Sequence, residues 1–138
     1  MRRSSPDDGE GTKLFTVAEA NALLPEIAPI LIELRDLKGR LDAAKSALDR
    51  LTPMMRGNGH GAEAIALERQ LADLIAQIAP ALQHVAELGV DVKDFDQGLI
   101  DFPSVRDGRI VYLCWRLGED EIAYWHDLDA GFAGRQPI

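Results

Sequence analysis

The sequence predicts an α+β protein: a long antiparallel α-helical hairpin followed by a three-stranded antiparallel β-meander and a structured C-terminal tail. Two amphipathic stretches, with apolar residues three and four positions apart, predict the hairpin. After Gly89 the apolar residues alternate instead, and Asp107-Gly108 separates two alternating runs. We expect a single domain at 13–138, with the helical hairpin at about 17–89 and the meander and tail at about 90–138.

Composition limits the class of protein. A chain of 138 residues that is 46% apolar suits one compact domain, and its formal charge of −8 argues against nucleic acid as a partner. A single cysteine excludes an internal disulfide, and no apolar run approaches the roughly 18 residues of a membrane span. The arginines at the start precede no apolar segment, so we expect a disordered leader at 1–12 and a cytoplasmic protein.

The first helix has a clear start signal. Thr16 is placed to cap it and Glu19 to complete a capping box, so the helix is predicted to begin at Val17. Internal prolines at Pro25 and Pro29 favour a kink in the first turns, which we still expect to be helical. The helix is predicted to end near 52–53, and its apolar seam consists of Ile27, Ile30, Leu34, Leu37, Leu41, Ala44, Leu48 and Leu51.

A second helix follows a glycine-rich connection at 54–61. Its apolar residues again lie three and four apart, Gly89 is placed to end it, and Pro80 predicts a bend. Two long helices joined by a short loop are expected to fold back antiparallel. Because the apolar stripe is broad enough for two neighbours, a coiled-coil-like seam and a homodimer formed through the helices are expected.

The two-residue turn at Asp107-Gly108 fixes the pairing of the first two predicted strands. Counting outward, one face carries the pairs Val105–Ile110, Pro103–Tyr112, Asp101–Cys114 and Leu99–Arg116. The opposite face carries Ser104–Val111, Phe102–Leu113 and Ile100–Trp115. The second set is nearly all large and apolar, so we expect it to pack on the helices and call the first set the mixed face.

The third predicted strand, at 122–126, has two alternative registers. A three-residue loop places Ile122, Tyr124 and His126 on the mixed face, whereas a two- or four-residue loop moves them to the core face. The first register is preferred because it buries Trp125 and leaves the ionisable His126 near solvent. The segment DVKDFDQG at 91–98, which faintly resembles a calcium-binding loop, is interpreted as a solvated turn.

Three segments resemble a known family. FTVAEANALLPE (15–26), GLIDFPSVRDGRIVYLCWRLGE (98–119) and WHDLDAGFAGRQPI (125–138) are similar to the bacterial family catalogued as domain of unknown function 2203. The resemblance runs from about Lys13 to the end of the chain. It implies a small, mostly bacterial, uncharacterised protein, and it assigns no catalytic residue, cofactor or partner.

The candidate site is the mixed face together with the tail. A cation, a carboxylate, an acid or base and a thiol in one patch suit a small anionic ligand, with Arg116 as a bidentate clamp and His126 as a proton donor. The alternative is structural: a surface ion pair of Arg116 with Asp101, and a buried Cys114. The candidate ligand-binding residues are Asp101, Tyr112, Cys114, Arg116, Tyr124, His126 and Arg135.

Other chemistries have weaker support. His126, Asp127 and Asp129 are too few for a metal site, since no paired histidine or cysteine motif occurs, so we predict no metal and no cofactor. Arg135 is expected to reach Asp101, Asp127 or Asp129, or a ligand pocket beside Arg116. The tail is otherwise expected to close the sheet edge. The favoured function is a non-catalytic binding or self-associating module; an enzyme or small-anion-binding protein is the alternative, and whether the chain is an enzyme stays open.

Overall fold

The computed structural model describes residues 13–51 and 61–138. Within them lie two long α-helices, a five-stranded sheet and one short 3-10 turn. The leader expected at 1–12 and nearly all of the connection expected at 54–61 fall outside the described residues. The elements are α1 (Val17–Asp49), α2 (Gly61–Glu87), β1 (Asp91–Asp94), β2 (Leu99–Arg106), β3 (Arg109–Arg116), β4 (Tyr124–His126), the 3-10 turn (Phe132–Gly134) and β5 (Gln136–Pro137).

Helix α1 begins at Val17 as predicted but ends at Asp49, earlier than the predicted 52–53. The Thr16 hydroxyl accepts a hydrogen bond from the Glu19 N–H, and the Glu19 carboxylate accepts one from the Thr16 N–H, so the predicted capping box is confirmed. Both prolines of α1 lie within continuous helix. A hydrogen bond between Glu26 and His84 joins the start of α1 to the end of α2, so the two helices are antiparallel.

The pairing of β2 with β3 matches the predicted register at every position. Asp107 and Gly108 have φ of 52° and 79°, the two positive values that a type I′ turn requires. Because the turn has only two residues and the strands pair without a bulge, the turn determines which side chains of β2 and β3 lie on the same face. Val111 and Phe102 are fully buried on the helix side, as expected of the apolar set.

The third predicted strand, now β4, takes the preferred register. Tyr112 pairs with His126, Cys114 with Tyr124, and Leu113 with Trp125. The connection from β3 to β4 is longer than three residues, but Tyr124 and His126 keep the expected face, and Trp125 is buried in the core. The expectation that Ile122 lies on the mixed face is wrong, because β4 begins only at Tyr124, and Ile122 is buried in the main core with its N–H donating to the Asn21 side chain of α1. The expectation that His126 lies near solvent is wrong, because the side chain is buried with 2% of its surface exposed.

The sheet has five strands and not three, so the α+β class holds while the meander is larger than predicted. Asp91–Asp94, expected within a solvated turn, forms the edge strand β1 against β2, and only the following residues turn. At the other edge, β5 from the tail pairs with β4. Both additions are short and polar, so neither carries the apolar alternation by which strands are recognised.

The main core lies between the helices and one face of the sheet. Phe15, just before α1, joins it: the Phe15 ring meets Phe102 edge-on at 5.3 Å, and the Phe15 backbone N–H donates to the Pro103 carbonyl. The core consists mainly of Leu24, Ile27, Leu31, Leu34, Ile78, Val85, Ile100, Phe102, Val111, Leu113, Trp115 and Trp125.

Neither α1 nor α2 is long and apolar enough to cross a membrane.

Two turn glycines offer a matched test of this packing. Gly108 has open space where a Cβ would lie, whereas a Cβ on Gly98 would lie 2.6 Å from the Leu117 Cβ. Both have positive φ. We expect Gly108→Ala to cost about 1 kcal/mol of unfolding free energy from backbone strain alone, and Gly98→Ala roughly 2–4 kcal/mol because a steric clash is added. Urea unfolding measures both, and equal losses would contradict the close approach of Gly98 to Leu117.

Candidate functional site

The tail covers the mixed face of the sheet and leaves a cavity beneath it. After β4 the chain turns at 127–130, and Gly131, with φ of 67°, redirects it over the sheet. The cavity has a volume of about 240 Å³. Its walls are Leu99, Asp101, Tyr112 and His126 from the sheet, Lys93 from β1, and Leu128, Asp129, Gly131 and Phe132 from the tail.

The centre of this site is a buried contact between Asp101 and His126. Each side chain has 3% of its surface exposed, and the His126 Nε2 lies 3.1 Å from both carboxylate oxygens of Asp101. The Nδ1 atom lies 2.7 Å from the backbone carbonyl oxygen of Asp127. A carbonyl only accepts, so Nδ1 carries a proton and donates it, and the Nε2–carboxylate contact requires a second proton between its partners.

Cys114 lies behind this pair. The cysteine is fully buried, and its sulfur lies within 4.8 Å of ligand atoms of both Asp101 and His126. Burial, reinforced by the Asp101 carboxylate, raises the pKa of the Cys114 thiol to about 12, although the Arg135 charge acts in the opposite direction. At neutral pH the side chain is therefore a thiol, and the predicted proximity to Arg and His does not make it a nucleophile.

Tyr112 and Lys93 form the side of the cavity next to β1. The Tyr112 ring lies 5.5 Å from the His126 ring, and the Lys93 ammonium lies 5.1 Å from the Tyr112 ring centroid. Burial raises the pKa of Tyr112, with the Lys93 charge opposing it. The phenol therefore stays protonated at neutral pH and can donate a hydrogen bond.

Arg135 holds the tail against the sheet. The guanidinium lies 4.1 Å from the Tyr124 ring and 4.6 Å from the Phe132 ring, and its Nη2 donates to the Glu119 carboxylate at 2.8 Å and to the Cys114 carbonyl at 3.3 Å. The expectation that Arg135 pairs with Asp101, Asp127 or Asp129 is wrong, and Asp127 instead accepts from Arg109. The buried Arg135 Nε has no acceptor among the described residues.

Arg116 does not join the site. Its side chain is exposed, its guanidinium lies 5.5 Å from the centroid of the Phe132 ring, and it does not line the cavity. The predicted guanidinium clamp is therefore outside the cavity, and the alternative ion pair with Asp101 is also wrong, because Asp101 is buried against His126. Of the predicted residues, Asp101, Tyr112, Cys114 and His126 come together, while Tyr124 and Arg135 fasten the tail beside them.

Six residues that line the cavity were not among the predicted ligand-binding residues: Lys93, Leu99, Leu128, Asp129, Gly131 and Phe132. Lys93 was not predicted as a site residue because the segment that forms its strand, β1, was interpreted as a turn. The tail residues carried one signal, the pairing of glycines with an aromatic ring at 131–134, which indicated a docked segment. That signal predicts docking but not the surface on which the segment docks.

The prediction of no metal site counted residues that are neighbours in sequence. The structure brings together a different set, in which Asp101, Cys114 and His126 each offer one ligand atom and all three atoms lie within 4.8 Å of one another. These residues come from β2, β3 and β4, and strand pairing alone places them side by side. The low number of potential metal ligands among His126, Asp127 and Asp129 therefore does not exclude a metal site at Asp101, Cys114 and His126.

The comparison with protein families agrees with the resemblance in the sequence. The model of the family described as "Uncharacterized conserved protein (DUF2203)" matches residues 13–138. The chain belongs to the DUF2203 family. Comparison of this DUF2203 chain with the curated proteins and with the solved structures finds no match.

The ion pair that fastens the tail of this DUF2203 protein predicts a pH-dependent stability. Burial alone raises the pKa of Glu119, but hydrogen bonds from the Arg135 guanidinium and the Arg116 N–H outweigh it, so the pKa is lowered. A depressed folded pKa stabilises the protein above the unfolded value and loses this contribution as the pH falls through the folded value. We expect Glu119→Gln to cost about 1 kcal/mol at pH 7 and progressively less below pH 4.5.

Urea unfolding at several pH values measures this difference. Glu121→Gln is the matched control, because Glu121 lies in the same connection and is exposed. A Glu119→Gln penalty that stays constant from pH 7 to pH 3 would show that the Glu119 charge does not stabilise the docked tail.

Proposed function

We propose that this protein binds a small polar ligand in the cavity between the sheet and the tail. The observation that carries the proposal is a buried Asp101–His126 contact on the wall of a 240 Å³ cavity. Buried ionisable pairs are often no more stabilising than apolar residues of similar size, so packing alone gives little reason for the contact. A binding site that recognises polar groups of a ligand is a reason for such a buried ionisable contact.

The geometry supports binding more than catalysis. A general base needs a free nitrogen or oxygen facing its substrate, but both ring nitrogens of His126 are already engaged, by Asp101 and by the Asp127 carbonyl. A cysteine nucleophile needs a thiolate, and the pKa of Cys114 is raised to about 12. These observations support the non-catalytic binding module that the sequence favours over an enzyme.

The lining of the cavity supports a ligand class. About 240 Å³ is below the roughly 300–1,000 Å³ of sites for drug-sized molecules, so the ligand is a small metabolite. Lys93 replaces Arg116 as the cation that holds an anionic group. Asp129, on the tail wall, suits an ammonium or hydroxyl group, and Phe132 and Leu128 cover the apolar part of the ligand.

A buried free thiol, Cys114, is consistent with the cytoplasmic location that we include in the proposal.

Replacement of Lys93 tests the site. We expect that small carboxylic acids, screened as free amino acids and hydroxy acids, raise the melting temperature of the wild type, and that Lys93→Met lowers the affinity at least tenfold through loss of the charge-assisted bond. Lys45→Met, at an exposed position of α1, is the matched control and is expected to bind normally. Calorimetric titration gives the affinities.

Two outcomes would remove this proposal. One is a wild type that binds no member of the panel and retains no small molecule in native mass spectrometry. The other is binding that is equally strong in the wild type and Lys93→Met, because the anchoring charge would then lie elsewhere.

Self-association through the helices is a second candidate, supported by exposed isoleucines on α1 and α2. Ile32, Ile65 and Ile75 expose 50%, 51% and 56% of their surface, and contact of the helices with a second copy would bury this apolar area. The predicted seam residue Leu41 packs against the core, so a charge there disturbs folding as well as any dimer. Exposed positions are therefore the better probes of a homodimer.

Ile75→Glu tests this second candidate. We expect the wild-type mass from light scattering to rise with concentration toward a dimer, and Ile75→Glu to remain monomeric with an unchanged melting temperature. Ala66→Glu adds the same charge at an exposed position of α2 on the opposite side of the helix from Ile75 and serves as the control. A wild-type mass that equals the monomer at all concentrations would exclude the homodimer.

A further inference from the structure

Three buried side chains that differ in chemistry meet behind the cavity wall. Asp101, Cys114 and His126 are 2%, 0% and 2% exposed, and their ligand atoms lie within 4.8 Å of one another. Carboxylate oxygen, thiolate sulfur and imidazole nitrogen are all ligands of zinc. We propose that these three residues bind one zinc ion, with the fourth coordination position directed to the cavity.

The orientation of His126 fits this role. A metal-binding histidine usually donates its other ring N–H to a carbonyl or carboxylate, which fixes the tautomer and presents the free nitrogen to the metal. Here Nδ1–H donates to the Asp127 carbonyl at 2.7 Å, which leaves Nε2 directed toward Asp101 and Cys114. A zinc ion in this position replaces the proton that the Nε2–carboxylate contact otherwise requires.

The spacing is close to that of a tetrahedral site. Zinc bonds of roughly 2.0–2.3 Å at tetrahedral angles separate neighbouring ligand atoms by about 3.3–3.7 Å. The Nε2 and carboxylate oxygens are 3.1 Å apart, and no ligand atom of the three is more than 4.8 Å from another. Rotation of the short Cys114 side chain brings its sulfur the remaining distance.

The charges balance as well. A thiolate and a carboxylate together neutralise Zn²⁺, so the loaded site is neutral at a depth where a net charge is costly. Arg135, whose Nη2 donates to the Cys114 carbonyl, adds a neighbouring positive charge that favours the thiolate form. Two protons are displaced on binding, one from the thiol and one from the Nε2–carboxylate contact, and both go to solvent.

The fourth coordination position of the zinc ion faces the cavity whether or not a small molecule is bound there. Asp101 and His126 line the cavity, whereas Cys114 lies behind them, so a zinc ion held by all three has its remaining side toward the cavity. Water completes the coordination in the absence of a ligand. Both proposals involve Asp101 and His126, but zinc binding is tested at Cys114 and ligand binding at Lys93, so the failure of one can be distinguished from the failure of the other.

Metal analysis of the full chain, with any affinity tag removed, tests the proposal. We expect about one zinc per chain after titration and gel filtration, and at least a hundredfold weaker binding in Cys114→Ser and in His126→Gln, since removal of a ligand costs more than the roughly 10- to 100-fold lost with an outer hydrogen-bond partner. His84→Gln and His60→Gln are the matched controls for histidine and are expected to retain zinc. Lys93→Met is also expected to retain it.

Cobalt provides a reading that does not depend on the folding of a variant. The chain has one cysteine, so absorption from a thiolate–cobalt bond in the wild type reports Cys114 alone. We expect this absorption to appear on titration with Co²⁺ and to disappear when zinc is added. Folded protein that takes up neither metal, cobalt binding without thiolate absorption, or zinc loss only in His60→Gln would each overturn the proposal.

Discussion

The buried contact between Asp101 and His126 constrains the rest of the molecule. It lies on the sheet face away from the helices, which an antiparallel sheet commonly leaves to solvent. Two ionisable groups with about 3% exposure are costly there unless their hydrogen bonds are satisfied, and the Asp127 carbonyl together with the pair itself supplies them. The cover over this contact is the tail, so the last residues of the chain are needed to complete the fold.

This requirement explains the unusual content of the C-terminal segment. Gly131 redirects the chain across the sheet, Phe132 and Tyr124 enclose the Arg135 guanidinium, and Glu119 neutralises that charge. The strand β5 then pairs with β4 and protects that edge of the sheet. Each residue type has a distinct physical task, so the segment is more restricted than a chain end usually is.

The sequence was most informative where a local rule fixes a long-range result. The Asp107-Gly108 turn determines the register of β2 and β3, and the preference for burying Trp125 determines the face of β4. The sequence was least informative where the burial or the partner of a side chain depends on a segment far away along the chain. Burial of His126 depends on a tail whose path no local pattern predicts, and the partner of Arg135 depends on that path as well. The three zinc-ligand candidates lie on separate strands, so their spacing in sequence has no motif to recognise.

The same geometry underlies the proposed binding role. In the absence of a bound metal, His126 has both ring nitrogens engaged and Cys114 is a thiol, so neither side chain offers a free base or a thiolate nucleophile. What the site does offer is fixed polar groups at the base of a small cavity, with Lys93 and Asp129 at its walls. A metal held behind that base and a metabolite held in front of it are compatible occupants, since they use different faces of Asp101 and His126.

The ring nitrogens of His126 are the most direct place to test this account. Two-bond proton–nitrogen correlation spectra at neutral pH, assigned by comparison with His84→Gln and His60→Gln, report which nitrogen of His126 carries a proton. The account predicts a protonated, slowly exchanging Nδ1 that donates to the Asp127 carbonyl, whether or not metal is bound. An unprotonated Nδ1, or a ring proton that exchanges with water as fast as that of the exposed His84, would contradict the buried, tail-covered site on which both the ligand proposal and the zinc proposal depend.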